Sequence, residues 1–256
     1  CWADAFGAEE KMKIITWNCC GNINQKYKYI SEFDSDVLVI PESGINQEID
    51  RYEHNHWEGL SDSKGIGIYS KYEIKVIADN KINKYNNIRL DEFIPFITNN
   101  QLFIAVWTKG DRNSVLDYIG QLYFYLEMNK GFLDQKPIIL GDFNSNTKWD
   151  DQKYDAWWKH SDLVKMLKEK EIYSIYHKRN NIEHGKEIEY TSYHLFNKLK
   201  PNHIDYIFAP LDYINRTRTF KIMPWNEIKD SETEKYSSDH CPIFWEYEER
   251  PTTAST

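Results

Sequence analysis

Seven polar side chains stand out because each follows or interrupts a short apolar, strand-like run. Asn18 follows Met12-Lys13-Ile14-Ile15-Thr16-Trp17, and Glu42 follows Val37-Leu38-Val39-Ile40-Pro41. Asp142 and Asn144 belong to Gly141-Asp142-Phe143-Asn144, and Asp205 to His203-Ile204-Asp205-Tyr206. Asp239 and His240 belong to Ser238-Asp239-His240-Cys241-Pro242. One such segment means little. The series in this order implies strand ends that converge on an acidic pocket holding a histidine. Metal-assisted phosphoester hydrolysis needs these groups: oxygen ligands for a hard cation, a carboxylate for a water proton, and an imidazole for phosphate charge.

Asn18 and Glu42 form a hard-oxygen pair. Such a pair suits Mg²⁺, which keeps several waters and takes one or two carboxylates. Asp142 and Asn144 stand at i and i+2, so in an extended segment both side chains share a face. The carboxylate can orient or deprotonate an attacking water. The neighbouring amide NH₂ can stabilise charge growing on phosphoryl oxygens. Asp205 and His240 make a further pair. A carboxylate that accepts a ring N–H fixes the tautomer and favours the cation, which can then meet the scissile phosphate.

Each residue also has a plainer reading. Asn18 can be a turn residue, Glu42 a solvated loop carboxylate and Asp205 a cap or salt-bridge partner. The stretch Gly141-Asp142-Phe143-Asn144-Ser145-Asn146 is rich enough in turn formers for an Asx turn, and Ser238-Asp239-His240 can be an ordinary turn. Taken singly, the plain reading wins for Asn18 and Glu42.

The elements that must position these groups are legible as periodicities. Residues 12–17, 37–40 and 138–140 read as buried strands. Residues 65–70 and 72–77 read as a strand pair, and 93–98 and 102–107 as a hairpin around Asn99-Asn100-Gln101. Residues 190–194, 204–208 and 243–247 are further strands. Helices are expected over 24–33, where Tyr27, Ile30 and Phe33 share a face, and over 114–128, where Val115, Tyr118, Ile119, Leu122 and Leu126 recur at helical spacing. A third is expected over 162–170 with Ser161 as N-cap. Strands outnumber helices without strict alternation, which favours two sheets packed face to face with helices outside.

The chain has 256 residues, 41% hydrophobic and 15% aromatic, with no low-complexity linker. It reads as one globular domain over 12–250. Residues 1–11 are unlike the start of a strand and are expected to be an appended or leader remnant; 251–256 are expected to be a flexible tail. No apolar run reaches the length of a membrane span, and no segment calls for an obligate protein partner. The net charge of −8 lacks the basic footprint of a tight, sequence-independent duplex binder. Cys1, Cys19, Cys20 and Cys241 have no paired spacing for zinc or a disulfide framework, so reduced thiols and a cytoplasmic location are expected. His160, His177, His184 and His194 show no zinc-ligand spacing and read as surface or core polar residues. Trp149, Trp157 and Trp158 lie among Lys148, Lys153 and Lys159; this mix can stack bases, though packing is the commoner use of tryptophan.

The ordered set Trp17-Asn18, Glu42, Gly141-Asp142-Phe143-Asn144, Ile204-Asp205-Tyr206 and Ser238-Asp239-His240 resembles the endonuclease/exonuclease/phosphatase superfamily. That group includes deoxyribonuclease-like enzymes, abasic-site endonucleases, inositol-phosphate 5-phosphatases and sphingomyelinases. The resemblance runs from Met12 to Glu248 and is specific in the combination of motifs rather than in any one. It implies an α/β four-layer sandwich, two packed mixed β-sheets flanked by helices. It also implies Mg²⁺, with Mn²⁺ as a substitute, held by Asn18, Glu42 and Asp239, and catalysis by Asp142, Asn144, Asp205 and His240. Two departures stand out. Many relatives carry a phosphate-contacting His or Tyr where this chain has Trp107-Thr108-Lys109-Gly110; Lys109 is the candidate substitute, a surface lysine its plainer reading. Pro41 stands where relatives often have Gln, which a strand end tolerates. The expected activity is Mg²⁺-dependent hydrolysis of DNA or RNA phosphodiesters. A phosphatase or phosphodiesterase acting on a small or lipid-derived phosphate, or a catalytically weak binding module on the same fold, are the alternatives.

Overall fold

The computed structural model describes residues 10–78, 82, 84–85, 88–90, 92–110, 116–152 and 158–250. Its strands are β1 (Lys11–Thr16), β2 (Val37–Ser43), β3 (His54–Ser61), β4 (Lys64–Ser70), β5 (Lys75–Val76), β6 (Lys84–Tyr85), β7 (Ile88–Arg89) and β8 (Phe93–Thr98). They continue with β9 (Gln101–Trp107), β10 (Ile138–Asp142), β11 (Ile172–Ser174), β12 (Ser192–Tyr193), β13 (Pro201–Asn202), β14 (Asp205–Pro210), β15 (Thr217–Ile222) and β16 (Ile243–Glu248). The helices are α1 (Ile23–Lys26), α2 (Ile119–Met128), α3 (Lys130–Asp134), α4 (His160–Glu169), α5 (Ile175–Asn180) and α6 (Leu211–Asn215).

Two mixed six-stranded sheets form, in the orders β15-β16-β1-β2-β4-β3 and β11-β14-β10-β9-β8-β5. The apolar runs of β1, β2, β9 and β10 are buried on both faces, as expected of central strands covered on each side. One core lies between the sheets and joins Ile14, Val37 and Val39 to Phe103, Ala105, Ile138 and Leu140. A second lies under α2 and α4, where Leu122, Leu126, Leu163 and Leu167 meet Ile104, Val106, Ile139 and Phe208. On the far face of the first sheet, Phe33 stacks on Phe244 at 4.7 Å. Each large buried side chain contributes about 1.5–3 kcal/mol by leaving water. The order is helix, sheet, sheet, helix, the expected four-layer sandwich.

Several local expectations are corrected. β4 pairs with β2 and β3, while Lys75–Val76 crosses to β8 in the other sheet, so residues 65–70 and 72–77 are not a pair. β3 is a strand without an apolar run, His54-Asn55-His56-Trp57-Glu58 being largely polar, so no sequence periodicity marks it. Residues 23–33 form one α-turn followed by two 3₁₀ turns rather than a continuous helix. α4 begins at His160 with Lys159 as its N-cap, because Asp162 accepts the Lys159 N–H at 2.8 Å and Asp150 accepts those of His160 and Ser161. The hairpin stands: Asn99 and Asn100 both take positive φ in a two-residue turn. Residues 1–9, 111–115, 153–157 and 251–256, which bear on the remnant, helix-start, Lys153, Trp157 and tail expectations, lie outside the described residues.

Candidate active site

Strand register brings the distant motifs to one edge. β1 and β2 run parallel, so Asn18 and Glu42 leave the first sheet at the same end. β16 is antiparallel to β1 with Thr16 opposite Ile243, which puts Asp239 and His240, just before β16, at that end too. In the second sheet Asp142 at the end of β10 pairs with Asp205 at the start of β14. Gly141 is required here: its φ is +140°, and a Cβ would fall 1.9 Å from the Val106 carbonyl oxygen of the adjoining strand.

Asp142 is fully buried and crosses between the sheets. Its Oδ2 accepts the Asn18 and Asn144 Nδ2 donors, each at 2.9 Å, and its Oδ1 accepts the Asn144 N–H at 2.8 Å. That last bond is an Asx turn. Asn144 has φ +44°, so the segment is not extended, and the turn itself brings Asn144 to the site. The second Nδ2 hydrogen of Asn144 goes to the Thr108 carbonyl at 3.0 Å. Both amide hydrogens are therefore spent on Asp142 and Thr108, and the side chain steadies the carboxylate instead of presenting NH₂ to a phosphate. Asn18 Oδ1 accepts the Cys20 N–H at 3.1 Å and keeps a second lone pair.

Asp205 faces His240, with Nδ1 at 3.0 and 2.9 Å from the two carboxylate oxygens. The backbone around this pair is tightly tied. Thr191 Oγ1 accepts the Ile204 and Asp205 N–H groups, and Ser238 Oγ bridges the Asn18 carbonyl and the His240 N–H. Trp17 Nε1 donates to the His240 carbonyl and Trp225 Nε1 to that of Ser238. Burial disfavours charge on His240, but the carboxylates of Asp205 and Asp142 outweigh it and hold the pKa at about 10. Burial and then the Asp205 charge push Asp142 up to about 7, against the pull of His240 and of the asparagine donors.

Glu42 sits at a β-bulge, where the β2–β4 register slips between Pro41 and Ser43 and Glu42 takes φ +60°. The bulge removes its side chain from the ladder. Lys64 Nζ lies 2.6 Å from Glu42 Oε2, and that bond holds the lysine pKa up, with Asp239 adding to the effect. One cation thus answers to both carboxylates. Asp239 Oδ2 also accepts the Leu195 N–H at 3.0 Å. An all-oxygen set of two carboxylates and an amide, already facing a positive charge, fits a divalent hard cation. Asp142, Asp205 and His240 form a second close group, with ligand atoms within 4.8 Å of one another.

A cleft of about 660 Å³ opens beside these groups and is lined by Asn144, Asp239 and His240 among others. Its other walls include Tyr118, Trp149, His194, Lys200 and Asn202. These had no strand-end signal in the sequence. Tyr118 was legible only as helix periodicity; it takes φ +48° at the start of α2, a costly backbone for a bulky residue. Lys109 is not a cleft residue. Its Nζ donates to Glu92 at 2.7 Å and lies 3.6 Å from the Trp107 ring centroid, so its charge is answered within the fold. Trp149 reaches the cleft, whereas Trp158 packs on Phe124. Cys19, Cys20 and Cys241 are free thiols, and burial pushes that of Cys19 up to about 12. No helix among the described residues is long and apolar enough to cross a membrane.

The sequence profile of the Endonuclease/Exonuclease/phosphatase family matches residues 15–240. No curated protein sequence matches the chain significantly. Among solved structures, an AP endonuclease from Archaeoglobus fulgidus superimposes with a TM-score of 0.65 at 18% identity, covering 91% of this chain and 98% of that one. The 3'-5' exonuclease NExo from Neisseria meningitidis gives 0.64 at 16% identity, covering 93% and 100%. The Neisseria 3' phosphatase NExo bound to a product DNA hairpin gives 0.61 at 17% identity, again covering 93% and 100%. At these identities the structures speak for the fold.

Proposed function

The chain belongs to the Endonuclease/Exonuclease/phosphatase family, which places it among phosphoester hydrolases, and from that premise we propose a Mg²⁺-dependent nuclease that cleaves DNA or RNA phosphodiesters by in-line attack of water. The observation that carries this reading is the Asp205–His240 pair lying against Asp142, with Glu42, Asn18 and Asp239 at the same sheet edge. Glu42, Asn18 and Asp239 would hold the ion, Mg²⁺ or Mn²⁺ in its place. When bound, the ion neutralises phosphate charge and stabilises the leaving oxygen. Lys64 must then give up Glu42, and its ammonium becomes available to the phosphate.

Asp142, with a pKa near neutrality, is suited to take the water proton. Asn18 and Asn144 hold it in place while Asp205 holds His240 as a cation toward the phosphoryl oxygens. Trp149 and Tyr118 give the cleft faces on which bases can stack, and Lys200 adds charge. The relatives of the same fold named for acting on, or seen with, DNA support a nucleic-acid substrate. The acidic balance of −8 favours the second reading, a phosphatase on a small phosphate ester.

A panel of single- and double-stranded DNA, RNA, an abasic duplex and generic phosphomonoesters, each with Mg²⁺ or EDTA, separates these readings. Mg²⁺-dependent cleavage of a nucleic acid is expected. Turnover of monoesters alone would replace the nuclease by a phosphatase, and equal rates in EDTA would remove the metal. Calorimetric Mg²⁺ titration of Glu42→Gln checks the ligand set. Weaker binding is expected, and unchanged affinity would assign the ion elsewhere.

A further inference from the structure

Outside the active site, His177, His184 and Glu187 place one ligand atom each within 4.8 Å of one another. They sit on α5 and the loop that follows it, against Tyr206 and Phe208 of β14. We propose that these three side chains form a second metal site, for a borderline first-row divalent cation such as Zn²⁺.

The donor set decides the class of ion. Two imidazole nitrogens and one carboxylate oxygen suit Zn²⁺ and its neighbours far better than Mg²⁺, which prefers oxygen. The second shell is already built. His177 Nδ1 is tied to Ser174 Oγ at 2.8 Å, which fixes the ring and directs Nε2 to Glu187 Oε1 at 3.0 Å. Glu187 Oε1 also accepts Asn146 Nδ2 and the Gly185 N–H, each at 2.9 Å. His184 stacks on His177 at 3.6 Å, and its Nδ1 is buried without a hydrogen-bond partner. An orphaned buried nitrogen beside a carboxylate whose side chain is only 5% exposed is the feature that a packing role leaves unexplained. Burial and the neighbouring histidines push the His184 pKa down to about 2, so the ring is a neutral donor at physiological pH.

An opening of about 300 Å³, lined by His177 and His184 with Phe208, Lys168 and Lys178, exposes the two rings to solvent. Ligation in the ring planes requires the stacked rings to splay, and His184, unbonded at Nδ1, is the one placed to turn. The site also touches the catalytic loop. Asn146 Nδ2, which holds Glu187, donates to the His203 carbonyl as well, and Asn146 lines the active-site cleft. An ion on Glu187 would therefore act on the position of that loop.

The test is calorimetric titration with Zn²⁺ in excess Mg²⁺, together with Co²⁺ absorption spectroscopy, on wild type, His184→Ala, Glu187→Gln and Glu42→Gln. One Zn²⁺ per chain is expected, with affinity about tenfold or more weaker in His184→Ala and in Glu187→Gln. Glu42→Gln should retain it, and Co²⁺ should give the d–d bands of a low-coordinate nitrogen-ligated ion. A thermal shift on Zn²⁺ addition, present in wild type and absent in Glu187→Gln, gives a readout if His184→Ala folds poorly. No Zn²⁺ binding, binding indifferent to His184 and Glu187, or loss on Glu42→Gln would each overturn the proposal. The result does not depend on which phosphoester is cleaved.

Discussion

Among the described residues, two buried carboxylate–imidazole pairs of nearly equal length sit in clusters that act oppositely on the rings around them. Asp205–His240 closes at 2.9 Å and Glu187–His177 at 3.0 Å. In the first, two further carboxylates, Asp142 and Asp239, add to Asp205 around one ring, and His240 rises to about 10. In the second, one carboxylate serves several rings. His184 falls to about 2 and His203 to about 4, burial being the largest cause in each and neighbouring histidines adding to it. Burial disfavours the cation in both clusters, and only where carboxylates outnumber the ring is it overcome. One region favours a cationic ring at His240; the other favours neutral rings at His184 and His203.

The largest expected effect breaks the first region alone. His240→Ala should lower kcat by about 10²–10⁴-fold, while His184→Ala should leave kcat near wild type. Adding Asp205→Asn to His240→Ala should cost little more, because residues that act as a unit are not additive. Steady-state rates of the single and double mutants decide this, and fully additive losses would separate the two residues.

The pH profile comes next. With Asp142 needed as a base and His240 as a cation, kcat/KM should be bell-shaped. The alkaline limb should lie above the ordinary histidine value and at or below about 10, because a bound cation also lowers the His240 value. The acidic limb should lie at or below about 7, because a bound cation lowers the Asp142 value. Asp205→Asn should move the alkaline limb down. A limb that stays in place would show that Asp142 and Asp239 suffice.

Stability should divide the regions by pH window. The His240 pKa is raised in the fold, so its contribution is full below its unfolded value of about 6.5 and is lost as pH rises toward about 10. His184 and His203 are depressed, so their contribution is present above about 6.5 and is lost as pH falls toward about 4 and below. The slope per group is at most about 1.4 kcal/mol per pH unit. Denaturant unfolding of metal-free protein should show His184→Phe with a shallower acid loss than wild type. Identical acid slopes would mean that His184 does not carry the difference.

Much of the first region was legible in the sequence and almost none of the second. Asn18, Glu42, Asp142, Asp205 and His240 each adjoin an apolar run, and register alone then brings them to one edge. The Asx turn at Asp142–Asn144 was legible too, but the Glu42 bulge, the Lys64 contact and the Asn144 bond to the Thr108 carbonyl each depend on a partner from another segment. His177, His184 and Glu187 have no metal-ligand spacing of their own. The fold of α5 against β14 brings them together, and no periodicity encodes that. β3 shows the same limit, since its polar sequence takes strand form by pairing with β4.

The smallest expected effect concerns Lys109. Its charge is satisfied by Glu92 and Trp107, outside both clusters, so Lys109→Met should leave kcat/KM nearly unchanged. Lys64→Met, beside Glu42, should instead alter Mg²⁺ affinity. A large kcat/KM loss in Lys109→Met would return that lysine to the substrate site.

The most direct test of the contrast is a ¹⁵N NMR titration of the imidazoles in metal-free protein. His240 should remain a cation past pH 8, while His184 and His203 stay neutral down to about pH 5. A His240 that titrates at the ordinary value of about 6.5, in step with the other rings, would contradict the account.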